Sequence, residues 1–405
     1  MKKYALFAAF SFLFLVNGKA QTDPKITTWM QNTTATGYGG YITNVQLVQY
    51  SATEVYISCG CIPQYTIGPW PGNPNVPSPQ NIVCQFTRNP VQNTGAPVYT
   101  GLGAIGLWSN GVAVFNQKDA FYWNNATSSF AMGTTTTGWN RNALVYEGAG
   151  FDNCLGHPQQ MGMYHHHVNP KCLYNDADST HHSPIIGYAF DGFPIYGAYA
   201  YTNTDGTGAI KRMKSSYVLS TATTRASGPP VNATYPLGNM CEDYVYTAGA
   251  GDLDEHNGRF CKTPEYPAGT YAYFVTIDAS LNPVYPYVLG NTYYGVPSTS
   301  NHVSPVGPDT TYHPSTSGLT VVSNAIKFQV VPNPVDDYAY IYMDATSMNN
   351  VKGSLFNAAG QLVKTIEYMQ PTIAYTLDMS ELPAGMYILN MESGGTMVTE
   401  KLVKR

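Results

Sequence analysis

Six of the nine histidines fall between His157 and His182, and they offer the clearest chemistry in the sequence. Three of them are consecutive, at His165, His166 and His167. Side chains alternate between the two faces of a β-strand, so His165 and His167 are expected to point together and His166 away. Neutral imidazole nitrogens are ligands for zinc, copper, iron and nickel. The segment therefore predicts a transition-metal site, with copper or zinc as the favoured ion.

Two histidines on one face of a strand need a further ligand from elsewhere in the chain. His182, in the run His181-His182-Ser183-Pro184, is the first candidate for that ligand. The weaker candidates, as ligands or as groups that orient one, are His157, Asp191 and His256. The alternative is that the histidines are structural and make hydrogen bonds inside a tyrosine-rich core.

An acid–base set follows at Asp254, Glu255 and His256. Glu255, with Asp254 as the second candidate, is a residue type that acts as a general base beside a metal-bound water. The alternative is a loop in which Asp254 caps a turn and Glu255 pairs with Arg259. The serine-nucleophile pattern G-x-S-x-G is missing. The phosphate-binding pattern G-x-x-x-x-G-K-[ST] is missing as well, which argues against a nucleotide enzyme. Whether the chain is an enzyme stays open at this point.

The composition limits the class of protein that holds these residues. Only 11% of the residues are charged, whereas soluble domains usually have about 25%. Hydrophobic residues reach 43%, which excludes a disordered chain, and the net charge of −5 argues against a nucleic-acid binder. An excess of tyrosine (33 residues), with many glycines and asparagines, predicts a mainly β fold with many turns and few short helices.

Two similar segments predict β-hairpins within this β-rich body. They read IGLWSNGVAVFN at residues 105–116 and IGYAFDGFPIYG at residues 186–197. Asn110-Gly111 in the first segment matches Asp191-Gly192 in the second. Such pairs between apolar runs are strong hairpin signals, because a type I′ turn needs positive φ at both central residues.

The first 20 residues have the three parts of a secretory signal peptide. Two lysines precede an apolar run from Tyr4 to Val16, and the small-residue pattern Gly18-Lys19-Ala20 precedes a predicted cut before Gln21. The apolar run is too short for a transmembrane helix of about 20 residues. We therefore expect an exported protein without a transmembrane segment.

Export determines how the seven cysteines are interpreted, because an oxidising compartment favours disulfides. Two couples bracket polar segments and are predicted to pair locally, while three further cysteines supply one pair and leave one thiol over. The couples are Cys154–Cys172 and Cys241–Cys261, and the remaining three are Cys59, Cys61 and Cys84, with Cys61 and Cys84 as the pair put forward. Sequence alone does not fix the connectivity.

The histidine segment is similar to the YHYH family, which is named for a Tyr-His-Tyr-His motif. Tyr164, His165 and His167 match the motif, and His166 stands where the family has tyrosine. Other matching pieces, in order, are Gly106–Asn116, Gly156-His157-Pro158, His182–Gly187, Phe190–Gly197, Leu253-Asp254-Glu255, Asn257–Phe260, Pro264–Pro267, Gly269-Thr270-Tyr271 and Tyr285-Pro286-Tyr287. Ala272 stands where some relatives have a further histidine. The resemblance implies a secreted domain and supplies no reaction.

The C-terminal part changes character. A Ser/Thr/Pro-rich stretch at 297–323 is typical of a linker. Alternating patterns then predict a small immunoglobulin-like β-sandwich. Its predicted strands are Tyr338–Tyr342, Gly353–Phe356, Gln361–Ile366 and Gly385–Met391.

This module resembles the C-terminal (Por) sorting domain of the type IX secretion system, found in Bacteroidetes. The matching pieces are Val331-Pro332-Asn333-Pro334, Leu355–Gln361, Leu382–Tyr387 and the basic end Lys401–Arg405. The resemblance implies passage through the periplasm, recognition by the type IX machinery and removal of the tail. Release from the cell or attachment to surface lipopolysaccharide would follow. The alternative is an adhesion or spacer domain.

Together these patterns predict a signal peptide (1–20), an N-terminal β-rich region (21–100), a YHYH domain (101–296), a linker (297–323) and a sorting domain (324–405). The favoured hypothesis is a secreted or cell-surface protein that binds copper or zinc through His165, His167 and His182. One alternative is a metal-dependent extracellular hydrolase or oxidase. The other is a non-enzymatic adhesin or surface-matrix protein with structural histidines.

Overall fold

The computed structural model describes residues 23–298, 303–305, 310–312, 328–343, 351–368, 374–393 and 396–405. The predicted signal peptide and most of the predicted linker lie outside these residues. Within them the chain is mainly β, with many short strands, two α-helices of four residues each and three 3₁₀ turns. The fold class predicted from the composition is confirmed.

The α-helices are α1 (Pro24–Thr27) and α2 (Ala143–Tyr146), and the 3₁₀ turns are Tyr38–Gly40, Gly148–Gly150 and Cys241–Asp243. The strands up to residue 311 are β1 (Val45–Tyr50), β2 (Glu54–Cys59), β3 (Ile82–Thr87), β4 (Ala104–Trp108), β5 (Ala113–Phe115), β6 (Lys118–Asn124), β7 (Ser129–Met132), β8 (Asn140–Asn142), β9 (His157–Pro158), β10 (Tyr164–His166), β11 (Ile185–Ala189), β12 (Pro194–Tyr196), β13 (Tyr199–Tyr201), β14 (Ile210–Arg212), β15 (Tyr217–Leu219), β16 (Tyr244–Tyr246), β17 (Gly258–Cys261), β18 (Thr270–Phe274) and β19 (Thr310–Thr311). The C-terminal strands are β20 (Phe328–Val331), β21 (Tyr338–Met343), β22 (Val351–Asn357), β23 (Leu362–Tyr368), β24 (Ala374–Asp378), β25 (Gly385–Ser393) and β26 (Thr396–Lys404).

An eight-stranded mixed sheet forms the centre of the body, in the order β17-β18-β12-β11-β4-β5-β10-β9. Strands β4–β5 and β11–β12 are the two predicted hairpins, and they lie side by side through an antiparallel β4–β11 pair. Strand β5 then pairs parallel with β10, and β10 pairs antiparallel with β9. The strands that carry His157 and His165 therefore lie at one edge of this sheet.

Both hairpins turn in the same way, and the turn differs from the type I′ form expected. Gly111 and Gly192 have φ of +76° and +85°, whereas Asn110 and Asp191 do not have positive φ. The side chains of Asn110 and Asp191 instead accept a hydrogen bond from the backbone N–H two residues on. A Cβ on Gly111 would lie 2.6 Å from Cβ of Cys59, so the turn has room only for glycine there.

Strands β1, β2 and β3, which precede residue 100, form a four-stranded sheet with β19, in the order β19-β1-β2-β3. Its inward side chains, such as Ile57 and Phe86, join Leu107 and Trp108 of the large sheet in one buried hydrophobic core. Strand β19 comes from the segment predicted as a linker, and it pairs antiparallel with β1. The N-terminal region therefore packs as part of the body.

The C-terminal residues form two antiparallel sheets, β20-β21-β24 and β23-β22-β25-β26. They share a core of their own that includes Val330, Ile341, Leu355, Leu389 and Leu402. This arrangement is consistent with an immunoglobulin-like sandwich. The four strands predicted here are confirmed as β21, β22, β23 and β25.

The sandwich packs directly on the body. Val331, Tyr340 and Tyr342 are buried among the hydrophobic side chains of the body rather than in the sandwich core. The Tyr340 hydroxyl donates a hydrogen bond to the carbonyl oxygen of His182 at 3.3 Å. Backbone near the histidine-rich segment therefore contacts the C-terminal module.

The disulfide between Cys154 and Cys172 is present, as predicted. The second predicted couple is wrong, because Cys241 and Cys261 are separate buried thiols. Cys241 begins a 3₁₀ turn, and its thiol donates to the carbonyl of Gln117. Cys261 ends β17, at the far edge of the large sheet.

The predicted Cys61–Cys84 disulfide is also not formed. Cys84 lies opposite Ile57 in the β2–β3 register, and Cys61 lies beyond the end of β2 with φ of +58°. A hydrogen bond with Cys59, together with burial, raises the pKa of Cys61. The three cysteines therefore form a buried thiol group without a Cys61–Cys84 crosslink.

Candidate metal centre

Three histidine side chains converge at the edge of the large sheet. Potential ligand atoms of His157, His165 and His167 all lie within 4.8 Å of one another. The three residues are 6%, 2% and 3% exposed, respectively. Among the residues that the structure describes, this is the one group of three His, Cys, Asp or Glu side chains with such spacing.

The register of two short strands brings these rings together. His157 on β9 lies directly opposite His165 on β10. His165 and His167 share a face, as strand alternation predicts, and their Nε2 atoms are 3.1 Å apart. His166 points to the other face, where its ring contacts Trp108 and Tyr164 edge-on.

Backbone carbonyls fix the tautomers of two of the rings. Nδ1 of His165 lies 3.1 Å from the carbonyl oxygen of Met163, and Nδ1 of His167 lies 2.5 Å from that of Asn116. A carbonyl oxygen only accepts, so each Nδ1 must carry the hydrogen. In the neutral rings, both Nε2 atoms then present lone pairs to each other. Metal-bound histidines commonly have this arrangement, with the second nitrogen donating to a carbonyl.

Burial keeps the rings of His157 and His165 neutral. Burial, together with the nearby His167, lowers the pKa of His157 to about 4. Burial, then His157 and His167, lowers the pKa of His165 well below its usual value. A histidine must be deprotonated to bind a metal, so these shifts keep the nitrogens available at neutral pH.

Aromatic side chains hold the rings in place. Phe115, at the end of β5, stacks on His165 with ring centroids 3.8 Å apart and meets His167 edge-on. Phe151 packs against His157 at 4.8 Å. These contacts surround the rings of the cluster with apolar surface.

The loop before His157 is organised by one carboxylate. Asp152 accepts hydrogen bonds from the backbone N–H groups of Gly68, Cys154 and Gly156, and from the Tyr164 hydroxyl. The disulfide from Cys154 ties the same loop to the segment that follows the histidines. Tyr164, which the family motif shares, thus has a structural role in positioning the edge strands.

Glu147 is the acidic neighbour of the cluster, and it follows helix α2. Its Oε2 atom lies 3.1 Å from Nε2 of His167 and 3.8 Å from Nε2 of His157. Burial raises the pKa of Glu147, but the contact with His167, together with His157 and Arg141, outweighs burial and lowers it. The side chain is therefore an anion beside three imidazoles.

His182, the first candidate for the third ligand, lies outside this cluster. Its ring is buried among Tyr196, Tyr201 and Phe274. Nδ1 donates to the carbonyl oxygen of Ser183 at 2.8 Å. The structure brings His157, one of the weaker candidates, next to His165 and His167 instead.

The other candidate residues also lie in separate places. Asp191 is buried and accepts hydrogen bonds from Tyr273 and backbone N–H groups. Asp254 accepts from the backbone of its own loop and from a tyrosine, which matches the turn-capping alternative. Glu255 is exposed, and His256 bonds to Thr292. None of them belongs to the three-histidine group.

Sequence reasoning missed Glu147 and Asn73. Glu147 follows no motif, but it is an isolated carboxylate in an uncharged stretch after Arg141, which is a weak signal in so uncharged a protein. The Asn73 amide lies 3.4 Å from Nδ1 of His157 and donates to the carbonyl of Pro158. It is more than 80 residues before His157 in the sequence, so no local spacing points to it.

Neither α-helix of the described residues has the length or the apolar character to cross a membrane. A family model described as "Secretion system C-terminal sorting domain" matches residues 329–405, which indicates export through the type IX system to the cell surface or beyond. No curated protein matches the chain. A second family model, described as "YHYH protein", matches residues 83–286, just over half of the sequence. With the motif histidines at its sheet edge, the chain belongs to the YHYH protein family.

Proposed function

We propose that this exported protein binds a transition metal ion, copper or zinc, through His157, His165 and His167. The strongest support is the pair of Nε2 atoms of His165 and His167, 3.1 Å apart, whose lone pairs face each other. The Nδ1 hydrogen of each ring is donated to a carbonyl oxygen, so the two Nε2 lone pairs repel each other. A cation between them replaces that repulsion with two metal–nitrogen bonds. His157 takes the place in the ligand set that His182 had in the sequence-based hypothesis.

The spacing fits an ion of this class. A tetrahedral ion about 2.0–2.1 Å from each nitrogen holds two ligand nitrogens about 3.3 Å apart, close to the separation found. His157 Nε2 is buried and has no hydrogen-bond partner among the described residues. Three imidazole nitrogens suit zinc or copper, whereas magnesium and calcium take oxygen ligands.

The sorting domain supports a role for this site outside the cell. Capture or storage of the ion after export is the role that needs no further chemistry from the chain. Removal of the tail and attachment to surface lipopolysaccharide are further proposals, which come from the resemblance of residues 324–405 to sorting domains. A purely structural role of the histidines remains the competing function, and it requires no metal.

Elemental analysis tests the proposal on the full chain, purified without a His-affinity step and then incubated with copper or zinc. We expect about one ion per chain in the wild type and almost none in His165→Ala. His182→Ala is the matched control, because it removes an equally buried imidazole outside the cluster. Wild-type protein that holds no ion after incubation would overturn metal binding. A metal content unchanged in His165→Ala but lost in His182→Ala would overturn the ligand set.

A further inference from the structure

A cavity of about 650 Å³ lies over the three histidines. Its floor includes His157, His165 and His167, and its rim includes the exposed side chains of Leu102 and Met132. Sites for small molecules usually have roughly 300–1,000 Å³. The cluster is therefore reachable from solvent by a molecule larger than water.

The three rings approach from the floor of this cavity. Phe115, which also lines the cavity, and Phe151 pack against them, and no fourth side chain of the described residues joins the group of ligand atoms. Zinc with three protein ligands keeps a fourth position for water or another molecule. That position would face the cavity.

Glu147 marks where a second contact with such a molecule would form. Its Oε2 atom is buried and has no hydrogen-bond partner among the described residues, although it lies 3.1 Å from His167 Nε2. A carboxylate only accepts hydrogen bonds. A hydroxyl or N–H group on a bound molecule would supply the donor that this oxygen lacks.

The charges around the cavity indicate which second group the bound molecule would carry. Asp119 lines the wall, but an ion pair with Arg141 neutralises it, and Lys118 lines the same wall. A divalent ion held by the three imidazoles beside Glu147 keeps one net positive charge, and Lys118 is a further cationic residue of the wall. An anionic oxygen on the bound molecule balances the charge at the ion.

We propose that the cavity binds a small hydroxy acid, whose carboxylate completes the coordination of the ion and whose hydroxyl donates to Glu147. This inference rests on the metal binding proposed above. The volume admits molecules up to roughly the size of a sugar acid. Amide side chains of Asn75, Gln159 and Gln160 line the same cavity and offer further partners for hydroxyls.

Glycolate and acetate form a matched pair of probes, because they differ by one hydroxyl. Their affinities are measured on the copper-loaded full chain from the shift of its visible absorption, with metal content determined on the same samples. Glycolate also chelates copper by itself, so the informative quantity is the change in the glycolate-to-acetate affinity ratio between variants. A hydrogen bond to a charged group is worth roughly tenfold or more in affinity, and we expect Glu147→Ala to lower the ratio by that factor.

Two variants guard against trivial effects. Glu147→Gln keeps the size of the side chain without its charge and is expected to give an intermediate ratio. Glu255→Gln removes an exposed carboxylate elsewhere and is expected to leave the ratio unchanged. A ratio that is equal in wild type and Glu147→Ala, with full metal content in both, would overturn the hydroxy-acid site while metal binding stands. Wild-type protein without metal would instead overturn the function on which the site rests.

Discussion

The histidine triad and His182 are two buried histidine sites in one body, and they differ in one respect. Burial lowers the pKa of His157 and His165 in the triad, and also that of His182. Nδ1 of His165 donates to a backbone carbonyl, as Nδ1 of His182 does. His182 is alone among aromatic rings, whereas His157, His165 and His167 direct nitrogens at one point. Burial and a neutral ring therefore do not by themselves indicate a metal site. The convergence of nitrogen lone pairs on one point does indicate one.

Loss of a triad ligand is expected to have the largest effect. At a free metal concentration 1,000-fold above its dissociation constant, binding adds about 4 kcal/mol to the free energy of unfolding. We expect His157→Ala to abolish this gain and His182→Ala to retain it. Urea denaturation with and without the metal measures both. An equal loss of the metal-dependent gain in the two variants would erase the difference between the sites.

Lowering the pH should reduce the free energy of unfolding, because His182 is buried in its neutral form. Burial, opposed by the hydrogen bond to Ser183 and assisted by Arg259, lowers the pKa of His182 to about 4. The unfolded chain takes up a proton on the His182 ring near pH 6.5, whereas the folded chain takes it up only near pH 4. The contribution of the neutral ring to the free energy of unfolding is therefore fully present above pH 6.5. It falls by about 3 kcal/mol as the pH drops to 4.

In His182→Gln, the free energy of unfolding is expected to depend less steeply on pH in this range, because about one proton fewer is taken up on unfolding. Urea denaturation between pH 4 and 7, with a chelator present to keep the triad metal-free, measures the slope. Parallel curves for wild type and variant would show that His182 is protonated equally in the folded and unfolded states.

The disulfide distinguishes the two sites, since the loop between Cys154 and Cys172 contains all three triad residues and not His182. Replacing both cysteines with serine is expected to lower the free energy of unfolding by about 3 kcal/mol, from the loss of a closed loop of this length. Metal affinity should fall as well, because the loop holds β9 and β10 in register. Cys261→Ser, a buried thiol outside the loop, serves as the control in the denaturation and metal titrations. Unchanged metal affinity in the double variant would contradict this role.

Asn73 should have the smallest effect. Its amide contacts the ring of His157 and the carbonyl of Pro158, so it orients one ligand from outside the ion. Asn73→Ala is expected to weaken metal binding by about tenfold, the low end for groups that orient a ligand. Chelator competition measures this affinity, and Asn89→Ala, which removes an exposed amide outside the cavity, is the control. Equal affinities in the two variants would remove Asn73 from the site.

The local features of this molecule were predictable from its sequence. The pairing of His165 with His167 follows from the two-residue period of any strand, and the hairpin at Asn110-Gly111 follows from its turn residues. The third ligand depended on which strand lies beside β10. That choice is made by long-range register, which puts His157 opposite His165 and leaves His182 elsewhere.

The same difference between local spacing and long-range contacts explains why one cysteine pair was predicted correctly and why Glu147 was missed. Cys154 and Cys172 pair across a short segment whose ends the sheet brings together, whereas Cys241 and Cys261 belong to separate elements. Glu147 reaches the triad only because helix α2 ends beside it, and no spacing in the sequence records that contact. The exposed Glu255 looked equally suitable as a residue type, so only tertiary structure separates the two glutamates.

Strand β9 has only two residues, lies at the edge of the large sheet and includes Pro158, which has no N–H to donate. So short an edge strand is held by few backbone hydrogen bonds, and segments of this kind open locally long before the whole protein unfolds. An ion bound to His157 and His165 would join β9 to β10 more firmly than those bonds do. Amide hydrogen exchange around β9 would then slow as the metal concentration rises, so that the rate of local opening reports how fully the site is loaded.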